Sequence, residues 1–241
     1  MTTYVNVFDQ LANVAQIARG CPTVTLRRAY VRAMRDWCAQ TQWLRITASG
    51  VTEAGEVLYD LGSDPLLEII GLYAVSGSNP ALAPPNSWPL TMSDPSSWNP
   101  LISPGAPLRA AYTPEGQMAL NPTPDGVYSM VYNAIVQPKD GVVQIPSQPL
   151  KKYSTPLEAG ALAYLLAMKD TPWFNPSEAA KKQREFGAGI ANGKAEVQRR
   201  YNTGSPRFHD RPPCSVADAS RSTSRSTRRS RRRRSASSRA S

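Results

Sequence analysis

The chain has 241 residues and a formal net charge of +10, and that charge is unevenly placed. From Arg207 to Ser241 eleven Arg stand against Asp210 and Asp218, a net of +9, so everything before Arg207 carries only +1. A near-neutral body with a polycationic end excludes a body built as a basic nucleic-acid-binding domain.

Cys21, Cys38 and Cys214 are odd in number, and no pair has the C-x-x-C spacing of a zinc or redox site. They point to a reduced, intracellular history. No basic stretch followed by an apolar run opens the chain, and no apolar run approaches the ~18 residues of a membrane span. The expectation is a soluble protein with no membrane partner, made in a cytoplasm.

The first zone, residues 1–43, reads as a helix pair. In "FDQLANVAQIARG" the residues Leu11, Val14, Ala15 and Ala18 share one stripe, with Asp9 as N-cap and Gly20 as stop. After the "CP" break, Leu26, Tyr30, Ala33, Trp37 and Leu44 recur at helical spacing. Arg27, Arg28, Arg32 and Arg35 lie mostly off that stripe, as in an amphipathic helix.

Residues 44–150 read as strands and loops. "LRITAS", "EVLYDL", "LLEIIGLYAV", "QMALNP" and "VYSMVYNAIV" are short and rich in branched or aromatic residues. The last is apolar on both faces, which predicts cover on both sides. "TPEGQ" predicts a hairpin turn. Residues 76–107 hold eight Pro, which argues against regular strands there. Trp88 and Trp98 on this loop are either loop anchors or partner contacts.

Residues 151–201 read as a second helix pair. Thr155 caps and Pro156 opens the first, with Leu157, Ala161, Leu165 and Met168 on one face. Asn175, Pro176 and Glu178 open the second as a capping box, and it should run to about Tyr201. Residues 202–241 form an extended tail. The whole predicts an α+β fold: a helical bundle from the N- and C-terminal helix pairs, an inserted β-rich region and an extended basic C-terminal tail.

Catalytic chemistry needs convergent acids, bases, nucleophiles or ligands. His209 is the only His and lies in the tail, so the body has no Ser-His or Cys-His pair. The body's carboxylates sit at helix starts and turns, where capping explains them. "GAGIANGKA" comes near a phosphate-binding loop, but Gly187 is one residue too far from Gly193, Gly189 one too near, and Ala195 replaces the metal-holding hydroxyl. Gly187, Gly189 and Gly193 instead give a helix with small side chains, at up to ~1 kcal/mol each. That is tolerated where another backbone comes close, at a subunit contact or in internal packing. No catalytic residue, cofactor or metal is expected.

Three stretches carry a family likeness: "GCPTVTLRRAYVRAMRDWCAQTQWLR", "GAPLRAAYTPEGQMALNPTP" and "PLEAGALAYLLAMKDTPWFNPSEAAKKQREFGAGIANGKAEV". They include Gly160, Ala161, Leu162, Ala163, Trp173, Asn175, Pro176, Phe186, Gly189, Ile190 and Ala191. Taken in order, they resemble the head-to-tail adaptor (connector) proteins of tailed bacteriophages. The resemblance implies a non-enzymatic virion protein, assembled in the host cytoplasm. It implies a homo-oligomeric, usually dodecameric ring beneath the portal protein, bridging to a tail or nozzle protein around a channel for packaged double-stranded DNA. Gly187, Gly189 and Gly193 become candidates for the subunit interface, and Trp88 and Trp98 for a partner-contacting loop. The Arg/Ser-rich end departs from the family pattern. Its Arg221, Arg225, Arg228, Arg229, Arg231, Arg232, Arg233 and Arg234 are candidate contacts to the portal, a neighbouring subunit or DNA. The competing reading is a nucleic-acid-binding protein that works through this tail.

Overall fold

The computed structural model describes residues 3–62, 64–79, 87–99 and 103–201. The chain divides into two units, residues 1–203 and 204–241, and every described element belongs to the first.

At the centre of that unit is a curled seven-stranded sheet, a half-barrel. The strands are β2 (Arg45–Val51), β3 (Leu58–Asp60), β4 (Leu67–Ser78), β5 (Ser87–Met92), β6 (Arg109–Tyr112), β7 (Gln117–Asn121) and β8 (Ser129–Pro138). Their order is β2-β8-β4-β5-β6-β7-β3, antiparallel except for β5 on β6. β1 (Tyr4–Asn6) and β9 (Gln144–Pro146) form a separate antiparallel pair. Two register shifts in β4, between Ile69 and Gly71 and between Leu72 and Ala74, add residues on one strand. Such bulges raise local twist and bend the sheet.

Four helices accompany the sheet: α1 (Ala12–Ile17), α2 (Thr23–Thr41), α3 (Ser147–Leu166) and α4 (Pro176–Tyr201). The expected bundle of two helix pairs is not what forms. The structure is a β-rich fold in which three long helices accompany the half-barrel, and the N-terminal stretch supplies only one of them. The reason lies in where the first backbone groups go. β1 pairs with β9, Val7 N–H donates to the Val143 carbonyl, and the Asn6 side chain accepts from Phe8 N–H. These bonds fix a short 3₁₀ turn over Val7–Gln10 and leave six residues for α1, so Asp9 lies within the turn and caps nothing.

The second expected helix forms but ends at Thr41, so Leu44, read as part of its stripe, lies beyond it. α2 buries Leu26, Tyr30, Ala33, Met34 and Trp37, and Gln42 ends it in the left-handed region. α3 begins earlier than expected, at Ser147, with a break in helical geometry at Tyr153. Pro156 has no N–H to offer the carbonyl of Lys152, so the helix kinks ahead of it rather than starting there. It stops at Leu166, which leaves Met168 38% exposed. At α4, Asn175 Oδ1 accepts from Glu178 N–H at 3.2 Å, as a cap should. The reciprocal half of the capping box is absent: Asn175 N–H donates to the Leu166 carbonyl, and Glu178 faces Lys181 at 3.7 Å.

The Pro-rich region does contain a strand. β5 carries Pro89 opposite Ser76 of β4, and its ladder to β6 begins only at Thr91. Pro89 therefore sits where β5 has a described neighbour on one side alone, which spares it a missing donor. The predicted "TPEGQ" turn joins β6 to β7, with Gly116 at φ +86°. β8 is buried on both faces from Ala134 onward, whereas Val131 stays exposed.

Candidate partner-contacting surfaces

The three candidate glycines of α4 have different surroundings. A Cβ at Gly189 would lie 2.3 Å from Pro156 Cβ and 2.8 Å from its Cγ. At Gly193 it would lie 2.7 Å from Thr41 Cγ2 and 3.1 Å from Trp37 Cζ2. Both glycines are buried, and the groups they admit belong to this same chain. Gly160 of α3 does the same work: a Cβ there would meet the Phe186 ring at 2.8 Å and Ala33 Cβ at 3.0 Å. Gly187 is exposed, with open space around it.

Trp88 and Trp98 are both half-buried and anchored within the chain. The Trp88 indole donates to the Pro107 carbonyl at 2.7 Å and meets Tyr128 edge-on at 5.8 Å. It lies across Gly77, where a Cβ would come within 3.0 Å of the ring. The Trp98 indole donates to Ser93 Oγ at 2.8 Å. It borders a recess shared with Val57, Leu120 and Thr123.

The helices carry a polar and aromatic cluster that the sequence did not announce. Trp37, Trp43 and Tyr153 pack together, with Trp37 and Tyr153 centroids 4.8 Å apart. Glu196 of α4 accepts from Lys152 Nζ at 2.6 Å and from the Tyr153 hydroxyl. Those donors, Lys152 foremost, hold the Glu196 carboxyl below its usual range. Burial, reinforced by Glu196, pushes the Tyr153 phenol up to about 12. On α2, Arg28, Arg32 and Arg35 line a groove of about 400 Å³ with Asp36 and Asp140. Arg35 pairs with Glu68 at 3.0 Å, Arg32 stacks over Tyr164 at 4.6 Å, and Tyr164 donates to Asp36.

The β region carries the opposite charge, mostly on the connections between its strands. Between Ile46 and Pro138 the sequence has eight Asp and Glu against Arg109 alone, a net of −7. Six of the eight lie on the connections between strands, so a count taken segment by segment would have found this; the body's total of +1 conceals it. Glu53 and Glu56 are exposed on the connection from β2 to β3. Asp125 lies nearby, because Gly55 N–H donates to the Pro124 carbonyl and Thr52 Oγ1 to the Gly126 carbonyl. Between the open edges of β2 and β3 runs a groove of about 250 Å³ bordered by Val51, Asp60, Leu61, Met118, Met130 and Tyr132.

The tail arginines, from Arg221 to Arg234, lie outside the described residues, as does His209. Among the described residues no group of three or more His, Cys, Asp or Glu is placed to hold a metal. No described helix is long and apolar enough to cross a membrane. Cys38 is fully buried, and burial pushes its thiol up to about 12.

No curated protein matches the sequence. The family model described as SU10 adaptor protein matches residues 2–207, which takes in every described element from β1 to α4. The chain belongs to the SU10 adaptor family of structural phage proteins, as a virion component that interacts with other virion proteins.

Proposed function

We propose that this protein assembles into a closed ring, a dodecamer, that joins the portal to the tail around the DNA channel. Its arginine-rich C-terminal segment docks on the portal or on neighbouring subunits, and assembly takes place in the host cytoplasm. The family match over residues 2–207 carries this reading. A ring needs two unlike patches on each subunit, one for each neighbour. The acidic connections of the β region and the basic helix surfaces meet that requirement in kind.

The test is co-expression with the portal protein of the same phage, followed by sedimentation and electron microscopy with and without nuclease. Rings that cap the portal equally well without DNA are expected. Portal particles that never acquire this protein would sink the reading.

The +9 carried by residues 207–241 favours a second reading, a nucleic-acid-binding protein acting through that segment. The two separate on deletion after Thr203. A DNA-binding segment touching ~10 phosphates should give a log–log salt slope near −9. Docking on carboxylates should fall less steeply and depend on individual acidic residues. Unchanged portal binding together with lost DNA binding in the truncated chain would favour the second reading.

A further inference from the structure

The half-barrel is unclosed. β2 and β3 stand at the two ends of the strand order, and no described strand pairs with the outer edge of either. They border the groove of about 250 Å³. Free strand edges are templates for a further strand, and proteins usually protect them with charge or proline. The outer half of β2, Ser49-Gly50-Val51, has neither. Val51 is 62% exposed.

The chain itself contains a segment suited to this edge. Residues 214–241 contain no Pro and no Gly. Within them, residues 220–227 alternate strictly: Ser220, Ser222, Ser224 and Ser226 at one parity, Arg221, Thr223, Arg225 and Thr227 at the other. Alternation with period two places these two sets on opposite faces of a strand. The serines are the smaller set and the one suited to face the groove. The Arg/Thr face would then turn outward, toward the surroundings of Asp60, Glu53 and Glu56. Residues 220–227 carry +2 of the +9 between Arg207 and Ser241, and the region from Ile46 to Pro138 carries −7. Residues 202–219 supply a tether of up to ~60 Å, enough to reach an adjacent subunit.

We propose that the groove between β2 and β3 receives residues 220–227 of a neighbouring copy as an added strand. Main-chain pairing gives the register, and Arg221 and Arg225 give the electrostatic hold, as in strand-addition recognition generally. The inference rests on the ring reading, which supplies the neighbour.

Disulfide trapping between two unequal chains tests it, with Cys21 replaced by Ser in both and Cys214 replaced by Ser in the longer one. The acceptor ends at Thr203 and carries Gly50→Cys, where a side chain meets open space, or alternatively Val51→Cys. It retains every buried residue of the described core. The donor is full-length with Ser224→Cys. Mixed disulfide should form at least ~10-fold faster than with a control acceptor carrying Asn192→Cys, a substitution at an exposed position of α4. Charge reversal at Arg221 and Arg225, or ~0.5 M salt, should remove most of that advantage. Equal rates at Gly50 and Asn192, or indifference to charge reversal, would overturn the docking. So would trapping that appears only when duplex DNA is added, which would make nucleic acid the partner. Light scattering of the full chain reads the ring separately. Rings without the Gly50 crosslink refute the docking and leave the ring; the crosslink without rings does the reverse.

Discussion

Replacing Gly189 by Ala tests whether the small-residue face of α4 is consumed inside the chain. Two effects oppose. In an exposed helix, Gly to Ala gains about 1 kcal/mol from propensity. At Gly189 the new Cβ would sit 2.3 Å from Pro156 Cβ, an atom fixed to the α3 backbone. A side chain cannot rotate away from such a contact, so α3 and α4 must separate by about an ångström. Overpacking of this kind costs ~1–3 kcal/mol, and here it outweighs the propensity gain. A net loss of up to about 2 kcal/mol in the folded unit corresponds to up to about 8 °C in Tm. Gly187→Ala is the matched control: nothing lies within 4 Å, so Tm should rise slightly. Differential scanning fluorimetry on the chain ending at Thr203 gives both numbers. If Gly189→Ala melts at or above the wild-type temperature while ring assembly fails, the internal contact is not what that glycine serves, and a subunit contact is.

Trp88→Ala should cost ~2–3 kcal/mol, because it empties the space across Gly77 and strands the Pro107 carbonyl; chemical denaturation measures it. Glu196→Gln should destabilise at pH 7 and lose its effect in acid. The folded carboxyl titrates below its ordinary 4.5, so its contribution is present above that value and disappears as pH falls through the lower folded one; melts at pH 7 and pH 3 show the difference. Tyr4, Tyr153 and Tyr164 are each pushed up to about 12, so stability should hold to about pH 10 and fall between 10 and 12 as unfolding lets these phenols ionise. A thiol reagent at pH 8 should label Cys21 in the chain ending at Thr203 and leave Cys38 unmodified until the protein unfolds; equal labelling under native conditions would contradict the burial of Cys38.

Local signals were legible where one segment settles its own structure. α2 shows its buried stripe in its own spacing, and the Asn175–Pro176 start of α4 needs nothing beyond its neighbours. The misreadings share a cause: a distant partner decided them. Asn6 to Leu11 could have opened a longer helix, but β9 and Val143 claim the backbone at its start. Pro156 resembles a helix start until the preceding turn over Ser147–Lys152 is seen to continue into it with a kink. β5 is unreadable from a segment containing Pro89, since its pairing with β4 and β6 makes it a strand. At α4 the need for close approach was visible in the glycines. The identity of the approaching groups, Pro156, Thr41 and Trp37, was not.

Charge shows the same dependence on scale. A body of +1 suggests an electrically bland protein. Screening at physiological salt confines exposed charges to about 8 Å, so a partner meets local patches rather than a total. At that range this protein presents acidic connections in its β region and a helix surface with Arg28, Arg32 and Arg35 around one groove. Repulsion between like patches disfavours face-to-face pairing of two copies, whereas contact between unlike patches is attractive in only one sense of rotation. Repeated contact of that sense produces a ring or a filament, and closure depends on the angle. In the proposed ring, a tethered cationic segment that reached the acidic connections of the next copy would add a second link of the same polarity. Its 18-residue tether, residues 202–219, leaves the angle to the folded surfaces. Removing the segment should therefore weaken association without changing the number of subunits in the rings that still form; mass photometry of the chain ending at Thr203 at rising concentration measures both. A changed ring size in the truncated protein would mean that the arm sets the geometry and the folded surfaces do not.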